Sequence, residues 1–361
     1  MSRVIKALLS AKGHPECGVV SAAFPIPRDE YDYIVELLEG IDIGDPLHPD
    51  CVVEDLTSDC PVLKRLEGQQ VNLDELDYLA KRLDSFSQGE NAQFQAMAHK
   101  LGISDVKDFV NLTFACQQAT VITDFSDLEQ IGKNHTLHTN GGAMASAEYD
   151  ELDGEAIARY LIESGKGEVT PYGVVFDNGM KLEQVYDGQH FPLYLYESPL
   201  LNLEVRSGHP DSPAEFLPLP ASDKQIERTL LRAGVTDMGS AVWDVESGEL
   251  SEQVAMAIHL EREDIDSLNR LCRAIEPLDT AQREKLDAVV LMARPKCASE
   301  VRQLAENLDQ FNFVPKPFNP EADCAMTDLG YVAYHGSLAL DELMRQDPVD
   351  EQEPEIGPVM M

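Results

Sequence analysis

The chain has 361 residues, an ordinary apolar share of 43% and a formal net charge of −37, from 65 acidic against 28 basic residues. The apolar share excludes bulk disorder and supplies material for two or three domains. The charge disfavours nucleic acid as a direct ligand, because no basic patch is available to release phosphate counterions.

A surplus of this size repels itself and needs a functional or environmental reason. Duplex DNA carries about one charge per 1.7 Å of axis, so the surplus corresponds to roughly 60 Å of duplex. A compact chain of this length has a radius of gyration of about 21 Å, which makes its charge per unit length comparable. The acid is spread over folded segments: 21–60 holds Asp and Glu throughout against Arg28 alone, and 301–361 is similarly acidic. A single solvated tail would concentrate it instead.

Residues 1–17 read as an N-terminal extension. Arg3, Lys6 and Lys12 surround only Ala7-Leu8-Leu9, too short for a signal sequence. No apolar run approaches the ~18 residues of a membrane span. Seven cysteines, an odd number without a C-x-x-C pair, fit a reducing cytoplasm better than a disulfide framework.

From residue 18 the pattern predicts an α+β module to 190, with a β-layer over 18–70, a helical bundle over 71–120 and an α/β part over 121–190. Phe24-Pro25-Ile26-Pro27 ends a strand, and Asp29 is a natural N-cap for the helix that follows. Leu73, Leu76, Leu79 and Leu83 share one helix face, with Asp74 near the start where acid favours the dipole. A third helix is expected over 104–116, with Ser104 as its cap. Asn178-Gly179 marks a tight turn after the strand 172–177.

Junction strands and a linker occupy 191–212: Phe191–Glu197 and Leu203-Glu204-Val205 read as strands, and Gly208–Pro213 as the linker. A second, shorter module is expected over 213–346. Leu217-Pro218-Leu219-Pro220 repeats the strand ending in Pro-x-Pro, with Ser222 as the next helix cap. Ile265, Leu268, Leu271 and Ile275 repeat the leucine face, Asp266 repeats Asp74, and Leu286 and Ala288 repeat Phe94 and Ala96 at a constant offset. A third helix over 298–308 follows. Leu329–Gly336 repeats the strand and glycine turn, and Leu340-Asp341-Glu342-Leu343 repeats 182–185. Three blocks in one order, two of them carrying Pro and Gly outside the helical period, mark an internal duplication. The tail 347–361 is acidic and expected to be disordered. The fold class is therefore α+β, elongated, with two related modules in which small β-sheets flank a helical bundle.

Chemistry is harder to find. The nucleotide, hydrolase and zinc-protease motifs are absent. Ser104-Asp-Val-Lys107 has the spacing of some acyl enzymes but reads as a helix start. His135-Thr-Leu-His138 could supply metal ligands but reads as an exposed loop past a helix end. Tyr149–Gly154 fails the calcium-loop spacing. Cys116 and Cys272 sit at apolar helical positions and read as core, and Trp243 as a strand anchor. No catalytic residue, metal or cofactor is expected.

The order of strand, acidic bundle and glycine-turn strand resembles the ArdA antirestriction proteins of conjugative elements and plasmids. The stretch Thr123-Asp-Phe-Ser-Asp-Leu-Glu-Gln-Ile-Gly-Lys-Asn134 is similar to the family's acidic-aromatic-acidic run and helix ending in Gly-Arg-Asp, with Lys133-Asn134 replacing Arg-Asp. Leu73–Leu83 resembles its leucine-rich acidic helix. The likeness covers about 18–190. In the second module it reaches only the bundle and last strand. The resemblance implies an acidic imitation of bent duplex DNA that occupies the DNA-binding groove of type I restriction–modification enzymes. It implies no catalysis, no direct nucleic-acid ligand and no membrane partner. Two modules in one chain would make an internal pseudo-dimer, or the chain itself would form a homodimer.

A mimic must hold carboxylates near phosphate spacing on a preformed body. The candidate partner-binding residues are Asp29, Glu30, Asp32, Glu36, Glu39, Asp42 and Asp45, then Asp124, Asp127 and Glu129, then Glu148, Asp150, Glu151, Asp153 and Glu155. The alternative is an acidic interaction module of a mobile element that binds another basic DNA-binding protein. A carboxylate-based enzyme and halophilic adaptation are weaker readings, the first for want of any motif.

Overall fold

A computed structural model describes residues 4–209, 212–236, 238–314, 324–327 and 330–346. The linker stretch 210–211 and the tail 347–361 lie outside the described residues. The protein is mixed α and β with small antiparallel sheets, and it divides into two compact units. Residues 1–197, 204–217 and 221–244 form the first.

The first unit opens with β1 (Ile5–Ala11), β2 (Val19–Phe24), α1 (Arg28–Glu39), β3 (Cys51–Ser58) and β4 (Gln70–Val71). The strands form one sheet in the order β2-β1-β3-β4. β1 comes from the stretch expected to be an extension. It is an inner strand because Ile5, Ala7, Leu9 and Ala11 are all buried. It pairs with β2 from Ile5 opposite Phe24 to Ser10 opposite Val19. Helix α1 starts differently from the expectation. Pro27 is its N-cap and gives no side-chain cap, while Asp29 sits in the first turn, favourable to the dipole.

The bundle follows as α2 (Leu73–Asp84), α3 (Gln88–Leu101) and α4 (Val106–Leu112). Both Asn72 with Glu75 and Ser87 with Glu90 close reciprocal capping boxes at the starts of α2 and α3. Asp105, not Ser104, caps α4 by accepting from Lys107 N at 2.9 Å. The leucine face of α2 is buried as its spacing requires. With Phe94, Phe109 and the inner sheet residues it makes one continuous core.

Then come β5 (Thr120–Ile122), α5 (Leu128–Thr139), α6 (Ser146–Asp150), α7 (Gly154–Glu163), β6 (Glu168–Thr170) and β7 (Gly173–Phe176), the strands in the order β5-β7-β6. Asn178 and Gly179 both take positive φ in the turn after β7. Residues 191–197 run without regular secondary structure, where strands were expected. Their aromatic side chains pack instead: Phe191 stacks on Tyr78 with centroids 4.9 Å apart, and Tyr78 Oη donates to Pro192 O at 2.9 Å. Side-chain packing rather than strand pairing holds this stretch.

β8 (Leu201–Arg206), β9 (Glu215–Leu219) and β10 (Val242–Ser247, with half-buried Trp243) form a sheet in the order β10-β8-β9. α8 (Asp223–Arg232) opens on a Ser222–Gln225 capping box and packs on α1 within the first unit. The peptide bonds Phe24–Pro25 and Leu219–Pro220, at matching places in the two Pro-x-Pro stretches, are both cis.

The second unit contains α9 (Glu252–Ala257), α10 (Ile265–Ile275), α11 (Thr280–Ala293) and α12 (Ala298–Glu306). After them come β11 (Phe311–Val314), β12 (Cys324–Thr327), β13 (Gly330–Tyr334) and α13 (Leu340–Met344), with the strands in the order β11-β13-β12. Ile265, Leu268, Leu271, Cys272 and Ile275 are buried in its core. α13 is a helix, whereas 182–185, its expected equivalent, is not.

Candidate functional site

The candidate carboxylates fall on two parts of the first unit. On α1 and the loop after it, Asp29, Glu30, Glu36, Glu39, Asp42 and Asp45 are exposed. Asp32 is only half-buried and is already used: it accepts from Ser222 Oγ and from Lys224 N (3.1 Å) at the start of α8. Lys224 Nζ bridges both oxygens of Glu39 at 2.9 and 3.0 Å. Asp42 takes a left-handed φ of 63°, a conformation Asp tolerates. Asp45 accepts from Leu47 N at 2.7 Å and contacts His48. Burial opposes this, yet those hydrogen bonds hold its carboxyl below the ordinary value.

The second part is the arm α5–α6–α7, where all eight remaining candidates are exposed. Their backbones are fixed by their own side chains. Asp124 accepts from Ser126 N and Oγ, both at 2.9 Å, and these bonds lower its pKa. Asp127 caps α5 through Gln130 N (2.9 Å), and Asp153 caps α7 through Ala156 N (3.0 Å). Glu129 pairs with Lys133 at 3.0 Å and accepts from Glu155 N at 2.9 Å, tying the two helices. The Lys133 hydrogen bond is the main reason its carboxyl titrates below the ordinary value. Glu155 pairs with Arg159. Glu148 and Asp150 lie on α6, with Glu151 at its end.

The two long helices of the arm cross at glycines. A Cβ on Gly132 would sit 1.9 Å from Gly154 O, and one on Gly154 would sit 2.0 Å from Glu129 O. Gly132 belongs to the Gly-Lys-Asn stretch, so the motif's glycine is a backbone-approach residue. Beneath the arm, Ile122, Leu161 and Phe176 form a small separate apolar cluster.

His135 and His138 are corrected by the structure. They lie inside α5, half-buried, rather than in an exposed loop, because the helix continues to Thr139. His135 Nδ1 is 2.9 Å from Thr120 Oγ1, and His138 Nε2 is 3.4 Å from Gln93 Nε2. Both rings therefore contact the body of the unit. Between β5 and α5 a cleft of about 220 Å³ is lined by Ile122, Asp124, Asp127, Gln130, Asn134 and His138 among others.

Sequence reasoning missed a buried charge network. Asp74 faces Arg228 and Arg232 of α8: Arg228 Nε lies 3.2 Å from each carboxylate oxygen, and Tyr31 Oη donates at 2.8 Å. Arg232 reaches both Asp74 and Glu215. Burial would raise the Asp74 pKa, but the two guanidinium groups outweigh it and hold the value low. The signal was two arginines four apart, interleaved with buried Ile226 and Leu230 in a chain poor in base. No helix among the described residues is long and apolar enough to cross a membrane.

No protein-family model, no curated protein and no solved structure matches the chain.

Proposed function

We propose that the chain is an acidic decoy of duplex DNA that enters the basic DNA-binding groove of a DNA-handling enzyme. The resemblance of Thr123–Asn134 makes a type I restriction–modification enzyme the partner. The observation that carries the reading is a charge of −37 together with candidate carboxylates that, Asp32 apart, are exposed on ordered elements. In the arm many are pinned by helix caps and side-chain bonds, so little ordering entropy is lost on binding.

We infer further that the chain carries one α+β module twice. The first half runs four strands and the second three around a strand–Pro-x-Pro–helix step, and each then has three bundle helices and a three-stranded sheet with its last strand central. The arm α5–α7 is the large difference, since residues 123–167 separate β5 from β6 whereas only 315–323 separate β11 from β12. It holds eight of the candidate acids and is the part we assign to partner contact.

The test is to titrate the purified chain into a type I enzyme with its duplex substrate. Cleavage and methylation should both fall, duplex should be displaced competitively, and affinity should drop at least about tenfold between low and physiological salt. An enzyme that keeps its duplex at saturating protein, or binding indifferent to salt, overturns the reading. Displacement of duplex from another basic protein alone would favour the alternative partner.

A further inference from the structure

We propose that the α5–α7 arm is docked through unprotonated histidines and loosens reversibly in mild acid, so that pH regulates the acidic surface it carries. The docking follows from geometry alone. Its regulatory meaning rests on the function proposed above.

Hydrogen-bond polarity fixes the tautomer at His138. Gln93 Nε2 donates to Ala119 O at 2.6 Å and also lies 3.3 Å from Gln117 O. Both are carbonyl oxygens and only accept, so the amide cannot be reversed without setting oxygen against oxygen. The same nitrogen lies 3.4 Å from His138 Nε2, where an unprotonated ring nitrogen can share the amide hydrogen that Gln117 O holds only at 3.3 Å and a protonated one cannot. Its proton then sits on Nδ1, which is buried without a hydrogen-bond partner among the described residues. A second proton would turn Nε2 into a donor pointed at a donor.

At His135, Thr120 Oγ1 receives Asn178 Nδ2 at 2.9 Å and has one hydrogen left to give. The hydroxyl's second lone pair can equally accept from His135 Nδ1, so this contact serves either tautomer and His138 carries the polarity argument. Burial disfavours charge on both rings, and at His138 the neighbouring His135 adds to it.

Among the described residues, most charged groups on the elements packed against the rings are engaged elsewhere. β5 brings no titratable group, and the short turn 116–118 brings only the Cys116 thiol. On α3, Lys100 is engaged by Asp177 at 2.7 Å, and Glu90 closes the capping box at Ser87. His99 is the remaining ionisable group of that helix. On α7 the charged groups are Glu155, paired with Arg159, and Glu163. On α5 itself Lys133 and Glu129 pair. Asp124 and Asp127, which share the cleft with His138, accept from Ser126 and Gln130.

The folded-state pKa of each ring is thus depressed. The docking contribution is whole above the ordinary histidine value of about 6.5 and is lost as pH falls from there through the lower folded value. The apolar cluster under the arm does not titrate, so the response is local opening and not global unfolding.

Hydrogen–deuterium exchange on the full chain at about pH 7.5 and about pH 5.5, corrected for intrinsic rates, tests this. Protection over 128–139 should fall about tenfold more in acid than protection over β1–β3. His135→Asn/His138→Gln supplies side-chain oxygens that accept without titrating, and it should keep α5 protected in acid. Equal protection at both pH values in the native chain, or the same loss in the double variant, overturns the proposal. Should that variant not fold, ring titration by NMR in the native chain decides: midpoints at or above about 6.5 refute it. No partner is needed, so failure of the inhibition assay leaves this result readable.

Discussion

Helices α2–α4 and α10–α12 use the same frame for different ends. In each, four large aliphatics spaced three, three and four apart are buried, from Leu73 to Leu83 and from Ile265 to Ile275. In each, the second helix opens on a capping box, Ser87 with Glu90 and Asp279 with Gln282. The offset that pairs Leu73 with Ile265 also pairs Val106 with Ala298, the first residues of α4 and α12. The frames part at one acid. The Asp74 side chain is 9% exposed between two arginines, whereas its counterpart Asp266 is 52% exposed and pairs with Arg270 along its own helix at 3.0 Å. The same residue at the same helical position is a buried lock in one bundle and a surface charge in the other. What decides is the neighbour: α8 brings Arg228 and Arg232 to Asp74. In so acidic a chain, the number of carboxylates therefore overstates the number free to meet a partner.

The sharpest way to break this comparison is to remove each acid. Asp74→Ala leaves two buried guanidinium groups short of their main counter-ion and should cost about 3–5 kcal/mol. Asp266→Ala loses a solvent-screened pair and should cost no more than about 0.5 kcal/mol. Urea unfolding with a probe in each unit measures both, and similar costs would dissolve the distinction. Asp74 should show in the pH response as well. With its folded pKa held low, Asp74 contributes stability above the ordinary Asp value near 3.9, and that contribution is lost as pH falls through the lower folded value. Asp74→Asn should flatten the acid limb of the stability curve.

The next effect lies in the arm α5–α7, which has no counterpart among the described residues that follow α12. Gly132→Ala places a methyl group inside the van der Waals radius of Gly154 O, so α5 and α7 must move apart. The expected cost is about 1–3 kcal/mol, with faster exchange confined to residues 128–163. Weaker inhibition with the bundles intact would assign the arm to partner contact. Unchanged exchange in the arm would mean the crossing is not held at its glycines.

Periodicity made the bundles legible, since a buried helix face writes its spacing directly into the sequence, as at Leu73–Leu83. Short-range chemistry was legible too: the Ser222 cap and the Asn178-Gly179 turn depend on nearby residues alone. Partners distant in sequence were not. Asp74 and Arg228 form one network across 154 positions, and nothing local at either end announces the other. Residues 191–197 alternate like a strand but satisfy themselves through Tyr78, a tertiary contact. β1 was hidden because Lys6 and Lys12 frame its apolar residues, although Ile5, Ala7, Leu9 and Ala11 alternate onto a buried face. His135 and His138 were misplaced by ending α5 at the glycine of the motif, where a close helix crossing, not a helix end, called for glycine.

The smallest expected effect concerns the ends of α3 and α11, where the offset pairs Gly102 with Arg294. Both take left-handed backbone, with φ of 68° and 53°. Glycine meets this at no steric cost, while a side chain pays roughly 1 kcal/mol for its Cβ. Arg294 carries that strain and Gly102 does not, although the two helix ends have the same form. Arg294→Gly should therefore stabilise the second unit by about 0.5–1 kcal/mol, and Gly102→Ala should destabilise the first by a similar amount. Thermal unfolding of the two variants measures the opposite signs. Loss of stability in Arg294→Gly would show that the guanidinium makes contacts worth more than the strain it imposes, and the two helix ends would then be alike in backbone only.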